Sequence, residues 1–296
     1  MGVTVGDFAA GRKVFFITPD RIIFPESNLL DYFALGYECY FVENDKQNTL
    51  KDRIIRIITT FNGCILFFNV DMTVPGINWI NYITELNTVY GDKVTIGVFF
   101  VRRQDKRFKP SMEIVFNQKI GITGGCVQLE YQKKTNFTIV QNVLIALQAK
   151  GRRQSVRSLC TKKYTYSFSK DGQNYTGQIT DLSLSHFSFA SQDYTFKMNM
   201  GERIQDFNLY LDGLIIRTSV SLLMNRDLPD SILYVFAFCD AQGKVGLNER
   251  YKDNLTENLY KLNCDNLKIV MDKVKLQFDN DVTDAATIGR LVIDNK

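Results

Sequence analysis

The residues whose types and spacing could do chemistry are a basic cluster and a short acidic turn. Arg152, Arg153 and Arg157 stand close together, with an R-x-x-x-R spacing from Arg153 to Arg157. About two dozen residues later the run Asp181-Leu182-Ser183-Leu184-Ser185-His186 follows. An Arg fork grips a phosphate with paired donors while its plane covers a purine ring. A carboxylate such as Asp181 can accept two N–H bonds from one edge of guanine, so the set suits a small, doubly charged nucleotide.

Groups that far apart in sequence meet only if folded elements bring them together. The first half alternates short apolar runs with amphipathic ones. Lys13 to Ile17, Tyr37 to Val42, Cys64 to Phe68, Val94 to Val101 and Cys126 to Leu129 read as buried strands. Between and after them, Ser27 to Leu35, Thr49 to Thr60, Asn78 to Tyr90, Pro110 to Gln118 and Asn136 to Lys150 read as helices. This order predicts a doubly wound, parallel five-stranded sheet, because parallel neighbours need helical crossovers. From Thr161 the period changes to strict alternation. Tyr164 to Phe168 and Tyr175 to Ile179 flank a turn over Lys170 to Asn174, and Asp212-Gly213 joins Phe207 to Leu211 with Leu214 to Leu223. Asn225 to Asp230 reads as a third turn before Ile232 to Phe238. About six antiparallel strands predict a small closed barrel. Asn248 to Lys273 then carries Leu255, Leu259, Leu262, Leu267 and Val270 at helical spacing, which predicts a helix covering a barrel mouth or pairing with a second copy. The division expected is an α/β domain over residues 1–150 and a barrel with a helical extension over 151–296, the basic linker falling at about 150–160.

Composition narrows the function. At 296 residues, 45% hydrophobic and 23% charged, the chain can bury two cores. Its one histidine, His186, leaves no means of building a His-based triad or a multi-His metal centre. Six cysteines are scattered singly, with no paired spacing for zinc, and read as reduced thiols. No glycine loop for pyrophosphate follows a strand, so no nucleotide cofactor is expected. A net charge of +4 is too small for a nucleic-acid footprint, so DNA and RNA are not expected partners. Arg102, Arg103, Lys106, Arg107 and Lys109 form one dense basic run, either a solvated loop or an anionic docking patch. The absence of a long apolar run or a leader-like N-terminus points to a cytoplasmic protein with no membrane insertion. No constellation for catalysis is evident, and the expectation is a non-enzyme.

The basic cluster and the Asp/Ser turn together resemble the PilZ family of cyclic di-GMP receptors, with His186 standing where that family's turn closes on glycine. The resemblance implies that Arg153 and Arg157 contact phosphates and stack on guanines, with Arg152 as an auxiliary cation. It implies that Asp181 and Ser183 bond a guanine edge, with His186 beside them. The ligand would be cyclic di-GMP, with no separate cofactor. Binding would be converted into a change of interdomain geometry or partner binding, acting on an unknown downstream protein. The helix after the barrel could form a homodimer. The alternative is a ligand-free interaction adaptor. The first half resembles the receiver domain of response regulators. Asp71, followed by Val74-Pro75-Gly76-Ile77-Asn78, stands near the place of the phosphoacceptor, and Glu130 stands where a receiver has Lys. That makes Asp71 a possible vestigial phosphoacceptor.

Overall fold

The computed structural model describes residues 4–44, 48–150, 154–193 and 196–293, with side chains described as far as Lys275. Short apolar runs in the first half become buried strands. These are β1 (Val14–Ile17), β2 (Cys39–Val42), β3 (Ile65–Asn69), β4 (Thr95–Val101) and β5 (Gly125–Leu129). All pair in parallel, in the order β2-β1-β3-β4-β5. Every residue of β1 and β3 is buried, as strands covered on both faces must be. Phe67 stacks on Phe99 at 4.7 Å between ring centroids, and Phe16 stacks on both.

The helices are α1 (Val5–Ala9), α2 (Ser27–Ala34), α3 (Leu50–Thr60), α4 (Trp79–Tyr90), α5 (Phe108–Glu113) and α6 (Lys133–Ala146). Side-chain caps at Thr49 and Asn78 fix the starts of α3 and α4, each accepting from a backbone N–H three residues on. Trp79 is buried, with its indole N–H donating to the Met72 carbonyl at 2.6 Å. The helix expected over Pro110 to Gln118 begins at Phe108 and passes at Ile114–Ile120 into a wider π turn, closed by Gly121 in left-handed backbone.

The second half forms β6 (Ser158–Leu159), β7 (Tyr164–Lys170), β8 (Gln173–Leu182), β9 (His186–Ser191), β10 (Arg203–Leu211), β11 (Leu214–Leu228) and β12 (Ser231–Cys239). The sheet runs β8-β7-β10-β11-β12-β9, and the β8–β9 pairing closes it into a six-stranded antiparallel barrel with β6 added on β8. Asp171-Gly172 and Asp212-Gly213 form two-residue turns with positive φ at both positions, which is why Asp-Gly stands at each. The third turn differs from the expectation. β11 continues through Asn225 to Leu228, paired with β12, and only Pro229 and Asp230 remain to turn the chain. The interior is aromatic, with Tyr166 and Phe189 at 4.1 Å and Phe187, Phe207 and Phe236 around them.

The last helix, α7 (Glu249–Ile293), is longer than the pattern of leucines indicated. Its first turns lie on the barrel. Asn258 bridges the Tyr164 hydroxyl and the Leu211 carbonyl, and Asn266 donates to the Leu159 carbonyl. Leu255, Leu259 and Leu262 are buried by this packing, so a homodimer seam on α7 would have to use other faces. By contacts the described residues divide into a barrel unit (33–36, 154–193 and 196–267) and a sheet unit (4–32, 37–44, 48–150 and 268–293). Among the described residues, no helix is long and apolar enough to cross a membrane.

Candidate functional site

β6 is only two residues long, yet it decides the site. It pairs antiparallel with the end of β8, Ser158 opposite Leu182 and Leu159 opposite Asp181. That register delivers the preceding residue, Arg157, to Asp181, with Nε 3.3 Å from Oδ1. On the other side of β8, Thr180 is the extra residue of a β-bulge between the pairs Ile179–Phe189 and Asp181–Ser188. The bulge puts Asp181 opposite Ser188, whose hydroxyl donates to Oδ2 at 2.6 Å. The Thr180 carbonyl is not left unpaired, because it accepts from the Cys160 N–H at 2.9 Å. Both carboxylate oxygens are therefore held in place, while the Arg157 side chain is 41% exposed and Asp181 only 16%.

The turn between β8 and β9 is built by Ser183. Its hydroxyl accepts from the His186 N–H and donates to the His186 carbonyl, both at 3.0 Å, and its own N–H donates to that carbonyl at 2.8 Å. Ser183 is buried, so its hydroxyl shapes the hairpin rather than facing outward. His186 opens β9 opposite Ala237 and is not among the residues with positive φ, so this position imposes no left-handed backbone that only glycine would fit. The imidazole is half-buried, with Nδ1 2.7 Å from the Ser185 hydroxyl. Burial first, and then the charge of Arg157, lowers its pKa below the usual imidazole range. Burial also pushes the neighbouring Cys160 thiol well up, with Asp181 adding to the effect, so that sulfur stays protonated.

The structure thus gathers Arg157, Asp181, Ser183 and His186 at one corner of the barrel. Arg152 and Arg153 lie outside the described residues. Sequence reasoning missed Ser188 and the bulged Thr180. The signal for Ser188 was its place on the strand that returns beside Asp181, which shows only once β9 is recognised as a strand.

No family model and no curated protein matches this chain. The chain matches solved structures, each over less than half of the chain's own length. One is the YcgR complex with c-di-GMP from Escherichia coli, at 12% identity over 46% of this chain and 50% of that one, with a TM-score of 0.29. Another is the inhibitor of motility MotI/DgrA of Bacillus subtilis, at 12% identity over 38% of this chain and 50% of that one, with a TM-score of 0.30. The PilZ domain of E. coli YcgR with c-di-GMP matches at 13% identity over 42% of this chain and 98% of that one, with a TM-score of 0.31. The chain spans about half the length of full YcgR and MotI/DgrA.

Asp71 belongs to the sheet unit and lies two residues beyond β3. Its carboxylate is fully engaged. Oδ1 pairs with Arg103 at 2.6 Å, and Oδ2 accepts from the Val101 N–H at 2.6 Å. Arg103 also lies over the Phe108 ring at 4.2 Å, which fixes its plane. Asp20, in the loop after β1, accepts from the Ile22 N–H and so closes its own turn. Glu130 faces Arg102 at 3.5 Å. Among the described residues no group of three or more His, Cys, Asp or Glu stands together as metal ligands.

Proposed function

We propose that the barrel corner is the binding site of a cyclic di-GMP receptor. The observation that carries this reading is the convergence of Arg157 on Asp181 beside the Ser183 turn, which places a guanidinium fork and a fixed carboxylate side by side. In this reading Arg157 takes a phosphate and stacks on a guanine, and Asp181 accepts N–H bonds from the other base edge. Ser183 acts by shaping the turn, and the imidazole of His186 lies against the bound macrocycle. Arg152 and Arg153 supply further cations from the linker.

Magnitudes favour the exchange. A half-exposed ion pair such as Arg157–Asp181 contributes about 0.2–1 kcal/mol. A charge-assisted hydrogen bond to phosphate contributes about 1.5–3 kcal/mol, so a phosphate can draw Arg157 away from its internal partner. Binding that closes the linker over the ligand would alter the geometry between the two units and signal to a downstream protein without catalysis.

Calorimetric titration of the full chain with cyclic di-GMP tests the site. Saturable heat is expected, with affinity falling about tenfold or more in both Arg157→Ala and Asp181→Ala. Absence of heat from the folded wild type would refute the reading. Small-angle scattering with and without ligand tests the output separately, and an unchanged envelope would reject only that part.

A further inference from the structure

We propose that the loops following β4 and β5 form a basic docking edge for an acidic segment of another protein. Residues 102–134 carry eight Lys and Arg against three Asp and Glu, whereas the whole chain carries only +4. This one stretch therefore holds more than the chain's entire positive excess, and the remainder is slightly acidic.

The fold brings the two basic stretches together. β4 pairs with β5, the Arg102 N–H donates to the Leu129 carbonyl at 2.8 Å, and the Tyr131 hydroxyl donates back to the Arg102 carbonyl at 3.1 Å. Lys106 and Arg107 on one loop, and Lys133 and Lys134 at the start of α6, are exposed and have no side-chain partner among the described residues. Tyr131, 72% exposed, stands on the second loop two residues before Lys133 and reaches the first through its hydroxyl. Like charges on adjoining loops repel one another, and a docked anion relieves that repulsion.

The arrangement suits carboxylates fixed along a peptide. Four unpaired cations are fewer than the roughly six to ten phosphate contacts that hold duplex nucleic acid firmly, and would give it only a weak, non-specific grip. Lipid headgroups reward total charge, at about 1 kcal/mol per cation, without regard to position. Here the loops are tied together by backbone bonds, and Tyr131 offers a peptide an exposed ring whose hydroxyl is held by the Arg102 carbonyl.

The test is fluorescence anisotropy of the full chain with a fluorescein-labelled oligoglutamate, at about 0.1 M salt, where the screening length is about 10 Å. Saturable binding is expected. The double variants Lys106→Glu/Arg107→Glu and Lys133→Glu/Lys134→Glu should each weaken it about tenfold. Lys93→Glu, an exposed charge before β4 at the opposite end of the sheet, should leave it unchanged, with circular dichroism confirming that all variants fold. No saturable binding, equal loss in Lys93→Glu, or tighter binding to a DNA duplex or phosphatidylserine vesicles than to the peptide would overturn the proposal.

Discussion

His186 gives the site a pH dependence whose sign can be worked out. Its folded pKa lies below the ordinary value because burial and Arg157 oppose its charge. The unfolded chain therefore binds this proton first, and stability falls as pH drops from the usual imidazole pKa of about 6.5 toward the lower folded value. Denaturant unfolding at about pH 7.5 and about pH 5.5 should show a loss in the wild type that is smaller in His186→Gln. Ligand affinity should move the other way, because protonation sets a second cation beside Arg157. Cyclic di-GMP should bind a few-fold tighter at the lower pH, and His186→Gln should abolish that gain. Arg157→Lys keeps the charge but loses the fork, and should weaken binding about five- to tenfold by calorimetry. Arg157, Asp181, Ser183 and His186 could be singled out in the sequence because Arg, Asp and Ser stand at a recognisable spacing. Ser188 was not, since a partner opposite a carboxylate is defined by strand register, and a one-residue bulge at Thr180 leaves no mark in composition. The same limit hid the partners of Lys13, which was read into a buried strand and is buried, with its ammonium 2.7 Å from Glu38 and 4.5 Å from the Phe8 ring centroid.

Two strands depend on glycine for a reason other than backbone conformation. A Cβ on Gly97 in β4 would run into the Phe67 ring and lie 3.1 Å from the Gly124 carbonyl. One on Gly177 in β8 would lie 2.5 Å from the hydroxyl of Tyr166, its cross-strand partner. Gly97→Ala and Gly177→Ala should each destabilise the protein by about 1–3 kcal/mol, as overpacking does, measured by urea unfolding. The parallel sheet was readable in outline because buried strands appear as unbroken apolar runs, and the two Asp-Gly turns fixed the hairpins. The end of β11 was less so, since Asn225, Arg226 and Asp227 look like a loop until their pairing with β12 supplies the hydrogen bonds that outweigh their low strand preference. The shift from α5 into the π turn was equally hidden, because both helix types present similar apolar spacing over one turn.

At the scale of the whole chain, one sequence holds two aromatic cores, and each should unfold as its own cooperative block. Gly97→Ala should lower the transition of the sheet unit and leave the barrel's in place, with Gly177→Ala doing the reverse. Differential scanning calorimetry checks this as two separable peaks. Nature has also supplied each block with a private optical or magnetic label. The chain's one tryptophan, Trp79, sits in the sheet unit, and its one histidine, His186, sits in the barrel. Indole emission therefore follows the melting of one half, the imidazole proton resonance follows the other, and neither requires a probe to be engineered in.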